Sequence, residues 1–293
     1  MKITLRQLQI FVEIAKSGNV SQAADAVAIS QSAASMSLAQ LESLLDQTLF
    51  SREGKRLVLN DVGRAWLPKA DALLQQAQSL EKSVHQPDSV FGHLRIAAST
   101  TIADYVLPSL MNDFQQQYPD VSIDLMSENT GACVEDLLAL KADVALVEGL
   151  VTHKGIKLIP WQDDELMVCC HPGHPLGKRK TVNEKELVKY PWVSRENNSG
   201  TRRMFETVLP DVAQSRDVIL TMNSSSAIKN YLQHNQKSLA CLSEQVVAQE
   251  LNAKQLISLK IKDHTLQRQF YWVDYQAKML STAGQCFKDF IMG

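Results

Sequence analysis

Residues 21–45, SQAADAVAISQSAASMSLAQLESLL, leave this chain little freedom. Ser21 is a suitable N-cap, and Ala23, Ala24 and Val27 share one face of a short helix. The pattern breaks at Ile29-Ser30, and Ser30 can cap a second helix. There Ala34, Leu38, Leu41 and Leu45 recur at steps of four, three and four, forming one apolar stripe. The opposite face carries Ser32, Met36, Ala39, Gln40 and Ser43, with Ser35 beside it. A small, uncharged face of this kind suits the DNA major groove, where base edges offer donors, acceptors and thymine methyls. The spacing predicts a helix-turn-helix with Gln31 to Gln40 as its recognition segment. Paired amphipathic helices also occur in ordinary helical domains, so the flanks decide.

The flanks agree. Thr4 followed by Gln7 makes a capping box. Leu5, Leu8, Phe11, Val12 and Ala15 form the expected buried face of that helix, which Ser17-Gly18-Asn19 stops. After the motif, residues 49–59, LFSREGKRLVL, read as two short strands around a Glu-Gly turn, a β-hairpin wing. Arg52, Lys55 and Arg56 cluster there, fit for phosphate or minor-groove contact rather than only for solvation. From Asp61 to about His85 the pattern is one long helix. Ala70, Leu73, Ala77, Leu80 and Val84 form an a/d seam, which predicts pairing of two copies through this rod. At 1.5 Å per residue it would reach roughly 37 Å. Pro68, near its start, is a candidate kink.

Net charge is -2, so DNA contact must come from a local patch. Charges are scattered through the first 18 residues, which excludes a signal peptide. No run reaches the ~20 apolar residues of a spanning helix. The expected location is the cytoplasm, without membrane partners. The five cysteines have no CxxC and no disulfide framework, which argues against structural zinc; no metal or cofactor is expected.

Beyond Pro87-Asp88-Ser89 and Gly92 the chain alternates strands and helices. Strands are predicted at 94–98, 121–126, 143–147, 156–160, 166–170, 192–194, 218–222, 238–241, 256–261 and 268–275. The last two would return to a first lobe, and a helix with Leu280, Phe287, Phe290 and Ile291 closes the chain. Such alternation predicts an α/β architecture with parallel sheets covered on both faces. Ligands bind at the carboxyl ends of such strands. Polar loops stand there: Ser99-Thr100-Thr101, Asn129-Thr130-Gly131, Ser199-Gly200-Thr201 and Asn223-Ser224-Ser225. Helix N-termini with adjacent hydroxyls suit a small anion. Arg195 and Arg202 bracket the third loop and could add charge. Glu148 ends a strand and could bind a donor or orient a loop. Ser, Thr and Asn are also ordinary N-caps, so the four loops together carry more weight than any one.

The run from Leu5 to Arg64 resembles the LysR-type transcriptional regulators, in "LRQL..F", "SQSA.S" and "LF.R". The stretches LRIAASTTIADYVLPSLMNDFQQQYPDVSI, ADVALVEG and NNSGTR resemble that family's effector domain. The resemblance spans the chain and lies nearest its YeiE-like and CysB-like subgroup. It implies a winged helix-turn-helix (residues 1–60), a dimerisation helix (61–86), a hinge (87–92) and a two-lobed, periplasmic-binding-protein-like effector domain (93–293). Lobe I would hold about 93–162 and 268–293, lobe II about 163–267. It further implies binding of double-stranded promoter DNA by a homodimer or homotetramer, with RNA polymerase as a candidate partner. A small co-inducer, a sulfate- or sulfite-like anion or a small carboxylate, would sit between the lobes.

The DNA-reading positions then fall on Gln31, Ser32, Ser35, Met36 and Gln40, with Arg52, Lys55 and Arg56 in the wing. The ligand positions fall on Ser99, Thr100, Thr101, Asn129, Thr130, Glu148, Arg195, Ser199, Thr201, Arg202, Asn223 and Ser224. Asp46 departs from the family's usual Gly after the recognition helix, and Ser32 from a frequent Pro. Two alternatives stay open: a thiol-based redox sensor of the same architecture, drawing on Cys169-Cys170, and a solute-binding protein or enzyme on the α/β fold. No nucleophile-base arrangement, GxxxxGK or HExxH supports an enzyme.

Overall fold

The computed structural model describes residues 2–53, 56–83, 89–149 and 151–293. Helix α1 (Leu5–Ser17) starts at Thr4, whose hydroxyl accepts from the Gln7 amide at 3.2 Å. The Gln7 side chain in turn accepts from the Thr4 amide at 3.0 Å. Gly18 ends the helix at φ 65°, a conformation that costs glycine little. Leu8, Phe11 and Val12 are buried as expected, but Leu5 is 47% exposed and Ala15 only half-buried. Ile10 and Ile14 enter the core instead. The reason is that α1 is clasped by three helices, α2 (Val20–Ala26), α3 (Gln31–Leu45) and α4 (Asp61–Ser83), which widens its buried face.

Asn19, not Ser21, caps α2, its side chain accepting from the Ser21 amide at 2.8 Å. The helix begins two residues earlier than a Ser21 cap requires, and Asn caps as well as Ser. Ser30 caps α3 as expected, accepting from the Ala33 amide at 3.2 Å. Ala28, in the turn, has φ 53°, and Asp46, after α3, has φ 51°. Asp46 thus adopts the left-handed conformation that a glycine would otherwise supply. Ala23, Ala24, Val27, Ala34, Leu38 and Leu41 join α1 in one core, with Leu45 packed partly buried against it. Strands β1 (Phe50–Glu53) and β2 (Arg56–Leu59) pair antiparallel. The Leu57 amide donates to Gly18 O at 3.1 Å and ties the wing to α1.

Helix α4 is continuous through Pro68 and spans 23 residues, roughly 34 Å. Leu67, Ala70 and Ala72 are buried within the chain, whereas Leu73 is 52% and Leu80 71% exposed. Ala70 is therefore spent on the protein's own core and leaves the pairing seam. Val84, His85 and residues Pro87 and Asp88 of the hinge lie outside the described residues.

In lobe I, β3 (Gly92–Ser99) lies between β4 (Val121–Glu128) and β5 (Val144–Glu148), parallel to both. A π-helical turn, Ile102–Val106, leads into α5 (Leu107–Gln117), and α6 (Thr130–Leu138) connects β4 to β5. The expected strands at 156–160 and 166–170 are one, β6 (Ile156–Cys170). The polar WQDDE between them breaks the apolar pattern. Backbone pairing with β11 (Gln267–Tyr275) nevertheless continues through Gln267↔Glu165 and Arg268↔Asp164. Tertiary pairing overrides local preference here.

Lobe II contains α7 (Glu184–Leu187), β7 (Pro191–Arg195), α8 (Gly200–Val208), α9 (Pro210–Ser215), β8 (Asp217–Met222), α10 (Ser225–His234), β9 (Ala240–Ser243), α11 (Glu244–Asn252) and β10 (Ile257–Leu259). The second half of β6 pairs with β9 and β10, so β10 stays in lobe II and only β11 returns. The sheets are consequently mixed rather than parallel. Strands joined within a lobe by helices run parallel, whereas β6 leaves and β11 returns along the same seam and must oppose each other. Helix α12 (Thr282–Met292) closes lobe I, where Phe114, Phe270, Trp272 and Phe287 are fully buried.

Candidate ligand site and DNA-reading surface

Capping and the buried stripe fix which way α3 presents itself. With Ala34, Leu38 and Leu41 inward, Gln31, Ser32 and Gln40 are exposed, and Met36 is 73% exposed. Ser35 is half-buried and accepts from Gln31 Nε2 at 3.3 Å. The outward face carries amide, hydroxyl and thioether groups without charge, and Arg52 and Arg56 stand exposed on the wing. Lys55 lies outside the described residues. This division suits base-edge contact by the helix and backbone contact by the wing.

The second site is built where β3, β5 and β11 of lobe I meet α8 of lobe II. Glu148, at the end of β5, is buried and ion-paired with Arg268 of β11. Arg268 Nε donates to Asp164 at 2.6 Å, and Nη1 donates to the Thr201 hydroxyl at 3.0 Å. Thr201 Oγ1 itself donates to Glu148 at 3.1 Å, and the Thr101 amide donates to the same carboxylate at 3.3 Å. Burial acts to raise the Glu148 pKa, but Arg268, Thr101, Arg195 and Thr201 outweigh it and hold the carboxyl below its ordinary value. For Asp164 burial wins and the carboxyl is raised, despite Arg268 and a 2.7 Å bond from Ser243.

The lobes touch through these groups. Gly200 is required by close approach: a Cβ there would lie 2.7 Å from Glu148 O and 2.9 Å from Glu148 Cβ. Arg195 reaches across, donating to Thr100 Oγ1 at 3.1 Å and to Ser225 Oγ at 2.8 Å while paired with Glu196. The hydroxyls of Tyr105 and Ser226 meet at 2.7 Å. Within this cluster three buried polar atoms have no partner among the described residues: Ser99 Oγ, Thr101 Oγ1 and Arg268 Nη2.

Thr100, Thr101, Glu148, Arg195 and Thr201 are thus brought together. Thr130 is next to them, its hydroxyl donating to Glu148 O at 3.2 Å. Asn129, Ser199 and Ser224 spend their side chains on capping α6, α8 and α10. Asn223 is exposed just before that last cap, and Arg202 turns to Glu206 and to Arg195 O. Arg268 and Asp164 were not among the expected positions. The signal for Arg268 is its period-2 register with Phe270 and Trp272, which places a lone arginine on a buried strand face.

The thiols are poorly suited to redox sensing. Burial raises Cys169 well above its ordinary value, pushes Cys170 and Cys241 up to about 12, and raises Cys133 and Cys286. Raised in this way, they hold less of the reactive thiolate form.

Comparison with known proteins accounts for both halves of the chain. Residues 5–64 match the model of the bacterial regulatory helix-turn-helix protein, lysR family. Residues 87–293 match the LysR substrate binding domain. The chain is 36% identical over 290 residues to the uncharacterized HTH-type transcriptional regulator YeiE of Escherichia coli (strain K12), covering 99% of this chain and 97% of that one. A full-length OxyR variant from Pseudomonas aeruginosa superposes with a TM-score of 0.75 at 17% identity, over 99% and 95% of the two chains. The Synechocystis PCC6803 CcmR regulatory domain in complex with 2-PG superposes with a TM-score of 0.64 at 26% identity, over 69% of this chain and 96% of that one. The chain is a DNA-binding transcription regulator rather than an enzyme, and it belongs to the LysR family.

Proposed function

We propose that this regulator binds promoter DNA as a homodimer paired through α4, and that a small acceptor-rich ligand between the lobes switches it. The ligand class is a sulfate- or sulfite-like oxyanion or a small carboxylate. The observation that carries this is the set of unpartnered, buried groups: Ser99 Oγ, Thr101 Oγ1 and Arg268 Nη2. Stranded hydrogen-bonding groups of this kind cost about 1–3 kcal/mol each, so an occupant that accepts from them gains affinity. Thr100, Arg195 and Thr201 complete the binding set, and ligand entry breaks the Arg195–Thr100 and Tyr105–Ser226 bonds. The CcmR domain holding 2-PG supports a small molecule for a domain of this kind.

Exposed Leu73 and Leu80 support pairing through α4. The outward-facing Val218, Ile219 and Leu220 of β8 support a second self-contact, as a tetramer requires. Contact with RNA polymerase rests on the family alone. Work on promoter DNA implies the cytoplasm as its location. No helix among the described residues is long and apolar enough to cross a membrane.

The test is a thermal-shift panel of sulfate, sulfite, thiosulfate, phosphate, short carboxylates and amino acids. A ligand at 100 times its dissociation constant stabilises by about 2.7 kcal/mol. The active compound should lose its effect in Thr101→Ala or Thr201→Ala and should alter affinity for promoter DNA. A panel with no response sinks the small-anion reading and leaves larger organic effectors.

A further inference from the structure

Lobe I carries a charged cluster on the side that faces α4. Arg95 of β3 donates through Nη2 to Asp143 Oδ1 at 2.7 Å and through Nε to Oδ2 at 3.0 Å. Lys278, in the loop after β11, donates to the same carboxylate at 2.7 Å. The side chains of Lys278 and Asp143 are 2% and 3% exposed. Burial acts to raise the Asp143 carboxyl, but the hydrogen bond from Arg95 and the charge of Lys278 outweigh it and hold the group well below its ordinary value. The cluster is tight, yet its charges do not cancel, because two cations share one carboxylate.

The balancing charge comes from α4. Asp71, with its side chain 7% exposed, stands 3.9 Å from Arg95 Nη2 and 3.9 Å from Lys278 Nζ. Glu13 of α1, the other acid near Arg95, is paired with Lys16 at 3.1 Å. Gln75, one turn beyond Asp71, donates from Nε2 to Asp71 at 2.8 Å and to Asp143 at 3.1 Å, and so straddles the seam. At about 3.6 residues per turn, Asp71 and Gln75 lie on the side of α4 opposite Leu73 and Leu80. One face of α4 is thus charged towards the effector domain, while the other stays open for pairing.

The seam is loosely made. Both ion pairs of Asp71 are longer than a hydrogen bond. Gln75 Oε1 is buried with no partner among the described residues. A cavity of about 320 Å³ is left between α1, α4 and lobe I, reaching Glu13, Gln75, His93, Arg95 and Thr282. Among the described residues, lobe I adds only Leu140 and the half-buried Tyr275 to the core of the N-terminal unit. A polar contact between domains, incompletely satisfied and poor in apolar area, separates at little cost. Its place in the fold is also telling. Arg95 stands four residues before Ser99, and Asp143 five before Glu148, on the paired strands β3 and β5. Lys278 follows β11, which brings in Arg268 near its start. The seam and the inter-lobe groups are opposite ends of the same three strands, roughly 13–17 Å apart.

We propose that Asp71 and Gln75 form a releasable latch that holds α4 and the DNA-binding unit against lobe I. Opening it leaves the pairing face of α4 intact and frees the helix-turn-helix to change position relative to the effector domain. The two states differ in where the recognition helices of a dimer stand. The latch does not rest on the ligand proposed between the lobes, and its test uses none, so either reading can fail alone.

The experiment uses the full chain. Asp71→Lys places a third cation beside Asp143 and should open the latch. Gln75→Glu places a carboxylate between Asp71 and Asp143 and should open it by repulsion of the opposite sign; it also serves if Asp71→Lys fails to fold. Asp71→Glu keeps the charge and should behave as wild type. In X-ray scattering the two opening variants should show a larger radius of gyration. In calorimetry the single transition of the wild type should split into two, because the N-terminal unit and the effector domain no longer unfold together. Sedimentation should still give dimers. On a duplex selected from a random pool by the wild type, the length protected from DNase should change while the preferred half-site stays the same. A lowered midpoint with the radius, the single transition and the protected length unchanged would make Asp71 and Gln75 ordinary packing groups and overturn the proposal. So would a wild type that already unfolds in two steps, or Asp71→Glu opening as far as Asp71→Lys.

Discussion

Replacing Arg268 by Met tests the charge arrangement on which the ligand site is built. Arg268 is the shared cation of Glu148 and Asp164, whose side chains are 2% and 0% exposed. Its removal strands two carboxylates in the interior. Breaking a buried pair in this way costs about 3–5 kcal/mol. For a domain of roughly 200 residues each kcal/mol moves the midpoint by about 2–4 °C, so the loss should be roughly 6–20 °C. Glu148→Gln keeps the Arg268–Asp164 pair and should cost less, about 1–3 kcal/mol.

The pH dependence distinguishes a charge effect from lost packing. In the wild type Glu148 is held below its ordinary value of 4.5. Its contribution is therefore complete above that value and is lost as pH falls below it, towards the lowered value of the folded state. In Arg268→Met the sign reverses. Burial and mutual repulsion raise both carboxylates, the folded state binds more protons than the unfolded state, and stability falls as pH rises. The deficit against wild type should grow between about pH 5 and pH 8 in calorimetric melts of the full chain. A deficit under about 2 °C, or one independent of pH, refutes the buried triad.

Four further outcomes follow from particular side chains. Ala28→Gly relieves a left-handed alanine at φ 53° and should stabilise the helix-turn-helix by about 1 kcal/mol in urea melts. Leu73→Asp with Leu80→Asp puts charge on the exposed stripe of α4; sedimentation should give monomers, and DNA affinity should fall with them. In Gly200→Ala the new Cβ meets backbone at 2.7 Å, so α8 must move away from Glu148; the midpoint should drop and any ligand response weaken. The thiols, raised by burial, should react slowly with Ellman's reagent near neutral pH and become fast only in denaturant.

Much of the fold is local and was readable from the chain. Thr4 with Gln7, Ser30 with Ala33, and the 34-38-41 stripe act within a few residues, so their geometry follows from spacing. The loops at 99–101, 129–131 and 199–201 are likewise local, which is why they stood out. Several of their side chains proved to be caps, because an N-cap and a ligand donor draw on the same residue types.

What only the tertiary structure decided depends on groups distant in sequence. Arg268 stands 120 residues from Glu148 and 104 from Asp164, and no periodicity links them. The continuity of β6 through WQDDE, the antiparallel return of β11 and the use of Ala70 in the protein's own core are of the same kind. Caps and amphipathic stripes are short-range and recur with the period of one element. Ion pairing, strand order and which apolar face stays open are settled by what a distant segment brings, and only the folded chain contains that information.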